Sequence, residues 1–382
     1  MRRIFCCLTV VIMCLWISMP CSGAFQAECG SSAAAYVVMD AVSRRVIYES
    51  NAHLRLPMAS TTKIMSALLC LESGDLDSEF TVDTEAIQAE GSSMGLTEGD
   101  IVTKRALCYG MLLPSGNDAA GAAAVKIAGS YEDFSKLMNE RAALIGMEDT
   151  HFVTPSGLHD EEHYSTAYDM GILTAEALEN EDFREICSQT SAKVTFGNPP
   201  FDRWLKNTNK LLGSCEGVIG VKTGFTDEAG RCLVSACKRG EITLICVTLN
   251  DKDDWHDHAQ LYDAAFSSVT AEYADMPSDI RLPVAGSDTL SVPLYAKEEV
   301  VCCRLSSENE TSDIRWEIEA APFLFAPIKK DSAVGYIVHY CGGFEISRQP
   351  LYAACDAKYS ESQSENTNIF EELREKFRKL LS

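Results

Sequence analysis

The chain has 382 residues, 46% hydrophobic and 23% charged, which marks a folded globular protein and excludes a disordered one. Lys and Arg total 33 against 56 Asp and Glu, so the formal charge is −23 and binding to nucleic acid through bulk electrostatics is excluded. The length suggests two or three domains.

In chain order, residues 1–24 read as an export signal. Arg2 and Arg3 give a positive start, residues 4–19 form an uncharged apolar run, and Ser22-Gly23-Ala24 offers small residues for cleavage before Phe25. The run is shorter than the roughly 20 residues of a spanning helix. The expected location is extracytoplasmic, either secreted or peripheral on the outer face of the cytoplasmic membrane. Of 16 cysteines, four leave with the signal and 12 remain, scattered in apolar runs such as Leu69-Cys70-Leu71. They read as small core hydrophobes rather than a disulfide framework.

Residues 36–40 and 46–48 are β-prone and flank Ser43-Arg44-Arg45, a hairpin pattern. Ile64, Leu68 and Leu71 then recur at helical spacing and place Ser60 at the N-terminus of a buried helix. Residues 119–128 are Ala-rich and 134–144 amphipathic, so both are expected as helices. Residues 231–236 and 242–249 read as strands. Helices in the middle with strands at both ends imply a sheet closed from the two chain ends. Short β-prone runs at 300–305, 314–318 and 336–340 imply a small all-β domain. A Ser- and Glu-rich linker is expected over 358–368. In residues 369–382 the apolar side chains fall in one stripe of about 120°, an amphipathic helix that either packs on protein or lies in a membrane surface.

Three short motifs carry the chemistry. In Ser60-Thr61-Thr62-Lys63, serine and lysine three apart share one helix face, so their tips can meet. A serine hydroxyl needs a base to become a nucleophile, and lysine is a base only when burial or a second cation lowers its pKa. Lys222, in Lys222-Thr223-Gly224, can supply that second cation. Ser115-Gly116-Asn117 adds a hydroxyl and an amide, although Ser and Asn there also suit an ordinary helix cap. In this order the motifs describe acyl transfer at peptide or β-lactam carbonyls. Residues 253–258 hold His256 and His258 two apart, wrong for one helical face, so a loop entering a helix is expected there and no metal. His163 reads as a buried structural histidine in preference to a cleft residue. No cofactor is expected.

The blocks around these motifs, Pro57 to Met65, Leu113 to Ala120 and Gly220 to Thr226, together with Gly91-Ser92-Ser93-Met94-Gly95-Leu96, His163-Tyr164-Ser165-Thr166-Ala167 and Asn207-Thr208-Asn209-Lys210-Leu211-Leu212, resemble the D-alanyl-D-alanine carboxypeptidases among the low-molecular-weight penicillin-binding proteins, of Gram-positive type. The resemblance implies a mixed α/β (α+β) penicilloyl-serine transferase domain of β-lactamase/transpeptidase type over residues 25–278, with an antiparallel sheet and a helical subdomain. A β-sandwich-like domain over 279–357 and a membrane-associating helix over 369–382 follow. It further implies Ser60 as acylated nucleophile, Lys63 as general base and Ser115 as proton relay. Asn117, Lys222, Thr223, Gly224 and Phe225 would bind substrate, with the backbone N–H groups of Ser60 and Phe225 as oxyanion hole. The implied partners are peptidoglycan stem peptides ending in D-alanyl-D-alanine, β-lactams as covalent inhibitors, and the outer membrane face. A serine β-lactamase and a non-catalytic wall-binding protein are the alternative readings. For the former, Glu161 and Glu162 lie in the interval where a water-activating base would stand. An arginine that some members place near the substrate carboxylate has no evident counterpart.

Overall fold

The computed structural model describes residues 30–274, 277, 279–307, 314–341 and 343–360. The expected signal 1–24, most of the linker and the helix 369–382 lie outside the described residues.

The expected first hairpin forms as β1 (Ala35–Asp40) and β2 (Val46–Ser50). A short 3-10 turn, Ala59–Thr62, leads into α1 (Lys63–Glu72). A two-stranded ladder of β3 (Phe80–Thr81) and β4 (Ile101–Val102) precedes five helices. These are α2 (Lys104–Leu112), α3 (Asn117–Ala128), α4 (Tyr131–Ile145), α5 (Ala167–Glu179) and α6 (Glu181–Ser188). Their starts are local chemistry: Thr103, Ser130, Thr166 and Asn180 each accept a bond from the backbone N–H three residues on. A hairpin of β5 (Ser191–Gly197) and β6 (Pro200–Lys206) is followed by β7 (Val218–Thr226), β8 (Gly230–Arg239), β9 (Ile242–Leu249) and α7 (Asp254–Ser268).

The main sheet is antiparallel, in the order β2-β1-β9-β8-β7. It closes from both ends of the chain, as the sequence implied. Strand alternation sends Val37 and Met39 into the core shared with α1 and α5, and Val38 into a second core with Tyr262 of α7. The sheet is therefore covered on both faces, and β7 is left at its edge.

The remainder is all β: β10 (Val269–Tyr273), β11 (Arg281–Ala285), β12 (Ser291–Tyr295), β13 (Val301–Leu305), β14 (Ile314–Ala320), β15 (Leu324–Phe325), β16 (Ala333–Cys341) and β17 (Phe344–Ala353). A six-stranded sheet runs β14-β16-β17-β12-β11-β15 over a core that includes Val292, Ile337 and Leu351. β10 precedes the expected boundary at residue 279, yet it pairs with β13. The two parts also share the core behind α7, where Cys303 and Leu305 join Val38 and Leu244. The Asp40 carboxylate accepts from the Cys303 backbone N–H at 3.1 Å across that junction. No disulfide joins the described cysteines, and most of them are buried, in keeping with their reading as core residues.

Candidate active site

Ser60 lies in the 3-10 turn rather than in α1 itself, one step earlier than the periodicity implied. A 3-10 turn stacks residues three apart one above the other, so Lys63 sits directly behind Ser60. The Lys63 Nζ is 2.8 Å from Ser60 Oγ, 2.7 Å from Asn117 Oδ1 and 2.7 Å from the Ser156 carbonyl oxygen. Lys63 is fully buried. Burial holds its pKa well below the ordinary lysine value, the Lys222 charge lowers it further, and Asp118 opposes both. Two of the three partners can only accept. A neutral amine has two N–H bonds and one lone pair, so it donates to Asn117 and Ser156 and turns its lone pair to the Ser60 hydroxyl. That arrangement can take the serine proton.

The helix-cap reading of the second motif is not realised. Gly116 is the N-cap of α3, without a side-chain cap bond. Asn117 instead faces the cleft: its Oδ1 serves Lys63, and one Nδ2–H goes to the Glu90 carbonyl at 2.5 Å, leaving the other N–H for a ligand. Ser115 is buried and holds a left-handed backbone, φ 67°. Its hydroxyl makes no hydrogen bond to another described residue. Asp118 is the anchor of the opposite wall, accepting from the Met94, Gly95 and Leu96 N–H groups and from Ser93 Oγ.

The third motif lies on β7. A Cβ on Gly224 would stand 3.1 Å from the Met58 carbonyl and from the Ser60 and Thr61 nitrogens. The missing side chain thus lets the strand close on the nucleophile turn and brings the Ser60 N–H beside the start of the Phe225 segment. Lys222 is buried, donates to the Thr223 carbonyl at 2.7 Å, and is pushed by burial down to about 7. Thr223 Oγ1 lies 2.7 Å from Thr208 Oγ1. Phe225 is 63% exposed.

These observations match known proteins. A family model described as D-alanyl-D-alanine carboxypeptidase fits residues 24–253, well over half of the chain. The chain belongs to this carboxypeptidase family. A second model, the C-terminal domain of penicillin-binding protein 5, fits residues 281–359. The D-alanyl-D-alanine carboxypeptidase DacF of Bacillus subtilis is 31% identical over 373 residues, 94% of this chain and 95% of that protein. Among solved structures, DacD of Francisella tularensis aligns with TM-score 0.62 at 25% identity, over 88% of this chain and 96% of that one. Penicillin-binding protein 5 of Haemophilus influenzae aligns with TM-score 0.62 at 26% identity, over 86% and 98%.

Three groups beside the motif residues, and a fourth on the neighbouring strand, escaped the sequence reading. The Ser156 carbonyl and Thr208 are two. Asp118 is the third, although its place beside Asn117 was a signal. The fourth is Arg231, which pairs with Phe225 across the β7–β8 ladder. Side chains at paired positions share a face, so Arg231 stands on the Thr223 side of the sheet. Its guanidinium is ion-paired to Asp254 and lies over the Trp255 ring. Glu161 and Glu162 are exposed, and neither is a hydrogen-bond partner of Lys63. His258 is buried between the Ser235 and Thr248 hydroxyls, so it is no metal ligand. Among the described residues, the ligand atoms of one group, Asp253, His256 and Asp257 at the N-terminus of α7, lie within 4.8 Å of one another. His163 is buried, as the sequence implied.

Proposed function

We propose that the protein removes the terminal D-alanine from peptidoglycan stem peptides through an acyl-enzyme on Ser60. The observation that carries this reading is the three-partner Lys63 amine, with its only accepting position turned to Ser60. Ser60 Oγ attacks the carbonyl carbon of the penultimate D-alanine, and Lys63 takes the hydroxyl proton. The Ser60 and Phe225 N–H groups receive the oxyanion. Ser115 relays a proton to the leaving amine, and free D-alanine departs. Water then hydrolyses the ester. Asn117 gives its remaining N–H to the substrate backbone, while Lys222 and Thr223 hold the terminal carboxylate. Arg231 adds a second cation there: a residue diagonal across a ladder is about 7–8 Å away, within reach of a long side chain. β-Lactams acylate the same oxygen.

Mass spectrometry of a muropeptide ending in D-alanyl-D-alanine tests the reaction, with loss of one alanine expected. Ser60→Ala should keep the fold and lose labelling by fluorescent penicillin, and a folded variant that still labels would refute the nucleophile. Slow loss of the penicilloyl adduct is expected, whereas rapid penicillin turnover would favour the β-lactamase reading. Arg231→Gln should raise KM for the peptide about tenfold with little change in kcat, as for one lost charged hydrogen bond; an unchanged KM would remove Arg231 from the site.

We further propose that residues 369–382 dock the enzyme on the outer face of the cytoplasmic membrane. The support is the apolar stripe in the sequence. Phe370→Glu with Phe377→Glu should release the protein from lipid vesicles and leave peptide hydrolysis intact. Binding that survives both changes would exclude the anchor. Among the described residues no helix is long and apolar enough to cross a membrane.

A further inference from the structure

His163 is 3% exposed and its ring packs against the nucleophile turn at Thr62. Its Nδ1 is 2.9 Å from the Val153 nitrogen and 3.2 Å from the Thr154 nitrogen. Backbone N–H groups only donate, so Nδ1 carries the lone pair and the ring proton sits on Nε2. Nε2 is 2.8 Å from Thr62 Oγ1, and that hydroxyl donates onward to the Ala59 carbonyl at 2.8 Å. The bonds therefore run in one direction, from ring to hydroxyl to the carbonyl of the residue before Ser60.

The segment that His163 grips is the one that serves the base. Two residues past Thr154, the Ser156 carbonyl accepts from Lys63 at 2.7 Å, and the Pro155 carbonyl accepts from Ser66 at 2.5 Å. Thr154 Oγ1 accepts from the Gly157 N–H and donates to the Leu158 carbonyl, which closes the segment on itself. We propose that His163 is a positioning residue: as a neutral ring it clamps residues 153–157 to the nucleophile turn and so keeps the Ser156 carbonyl on Lys63. This rests on the reading of Lys63 as base. A second ring proton would point at two N–H donors, and the clamp would open. Burial pushes the ring's pKa down to about 4. From its own loop, Asp160 opposes that shift and His151 and His159 add to it. Phe152 meets the ring edge-on at 5.9 Å, and on the turn side it meets the Thr62 hydroxyl.

The test compares acylation of the full chain by fluorescent penicillin from pH 4 to pH 8, at each pH where circular dichroism shows the proteins folded. His163→Gln keeps an acceptor and a donor but binds no proton. It should acylate within threefold of wild type at pH 7.5, and its rate relative to wild type should rise about twofold between pH 6 and pH 4, where half of the wild-type rings carry the second proton. His163→Phe should lose at least tenfold in acylation and in kcat on peptide at pH 7.5, with KM changed less than threefold. Superimposable pH profiles for Gln and wild type would overturn the proposal, as would a folded Phe variant with the wild-type rate. If Phe does not fold, the Gln profile decides. A wild type that forms no adduct at any pH would overturn the base assignment itself, and this proposal with it.

Discussion

Lys63 and Lys222 are two buried amines close enough for one charge to act on the other, and the roles proposed for them require that they differ in protonation. Burial lowers both: Lys63 is held well below the ordinary lysine value by burial and then by the Lys222 charge, Lys222 is pushed down to about 7, and the base role proposed for Lys63 requires it to lose its proton first. Between the two titrations Lys63 is neutral and Lys222 charged. On this basis kcat/KM for a D-alanyl-D-alanine peptide should climb as Lys63 deprotonates and fall again above about pH 7, where Lys222 titrates in the free enzyme. A bound carboxylate beside Lys222 raises its pKa, so the alkaline limb of kcat should lie at higher pH than that of kcat/KM. A kcat/KM that stays flat to pH 9 would contradict this order. Lys63→Arg should abolish acylation because arginine keeps its charge, while Lys222→Arg retains part of it. Equal, near-normal acylation by both would remove the base assignment. Ser60, Lys63 and Asn117 were legible in the sequence because side-chain identity and spacing encode them. The Ser156 carbonyl was not, since any residue carries one and only the fold aims it.

At the scale of elements, the nucleophile turn is tight because three segments crowd it. Gly157 shows how tightly: it has φ 80°, and a Cβ there would sit 1.9 Å from the Ala59 carbonyl oxygen. Gly157→Ala meets both left-handed strain and a backbone clash, each typically 1–3 kcal/mol, so a loss of about 3 kcal/mol is expected. Chemical denaturation measures this, and acylation should fall with it because Ser156 is the neighbouring residue. Unchanged stability would mean the segment can back away from the turn at no cost. Helix starts at Thr103, Ser130, Thr166 and Asn180 could be foreseen from capping chemistry. The 3-10 turn could not, because residues three apart satisfy both helix types and only the closing strand β7 selects the tighter one.

Across the whole molecule, the core behind α7 binds the catalytic and all-β parts together, and it contains a second buried histidine. His258 sits between the Ser235 and Thr248 hydroxyls, pushed down by burial to about 3. His163 is at about 4. Both folded values lie below the ordinary 6.5, so the unfolded chain binds these protons more readily. The associated stability is complete above pH 6.5 and is lost as pH falls from there toward 4 and 3. For His163 the full effect is about 3 kcal/mol. Thermal melts should therefore drop steeply between pH 6.5 and 4, and the double variant His163→Gln, His258→Gln should show a shallower drop. Parallel curves would argue that carboxylates dominate acid unfolding instead. The assignment of β10 to the all-β ladder lay beyond sequence reading, since a five-residue strand carries no mark of its partner.

β7 ends the five-stranded sheet, and among the described residues no strand pairs with its outer edge. A ligand seated along Lys222, Thr223 and Gly224 would then act as a transient sixth strand, held through its amides more than through its side chains. Tolerance should follow that division: altering a stem-peptide side chain away from the terminal pair should matter little, while N-methylating an amide that donates to β7 should weaken binding about tenfold, the value of one hydrogen bond. The same open edge invites unwanted strand pairing, and the nucleophile turn packed against Gly224 crowds part of that nine-residue strand.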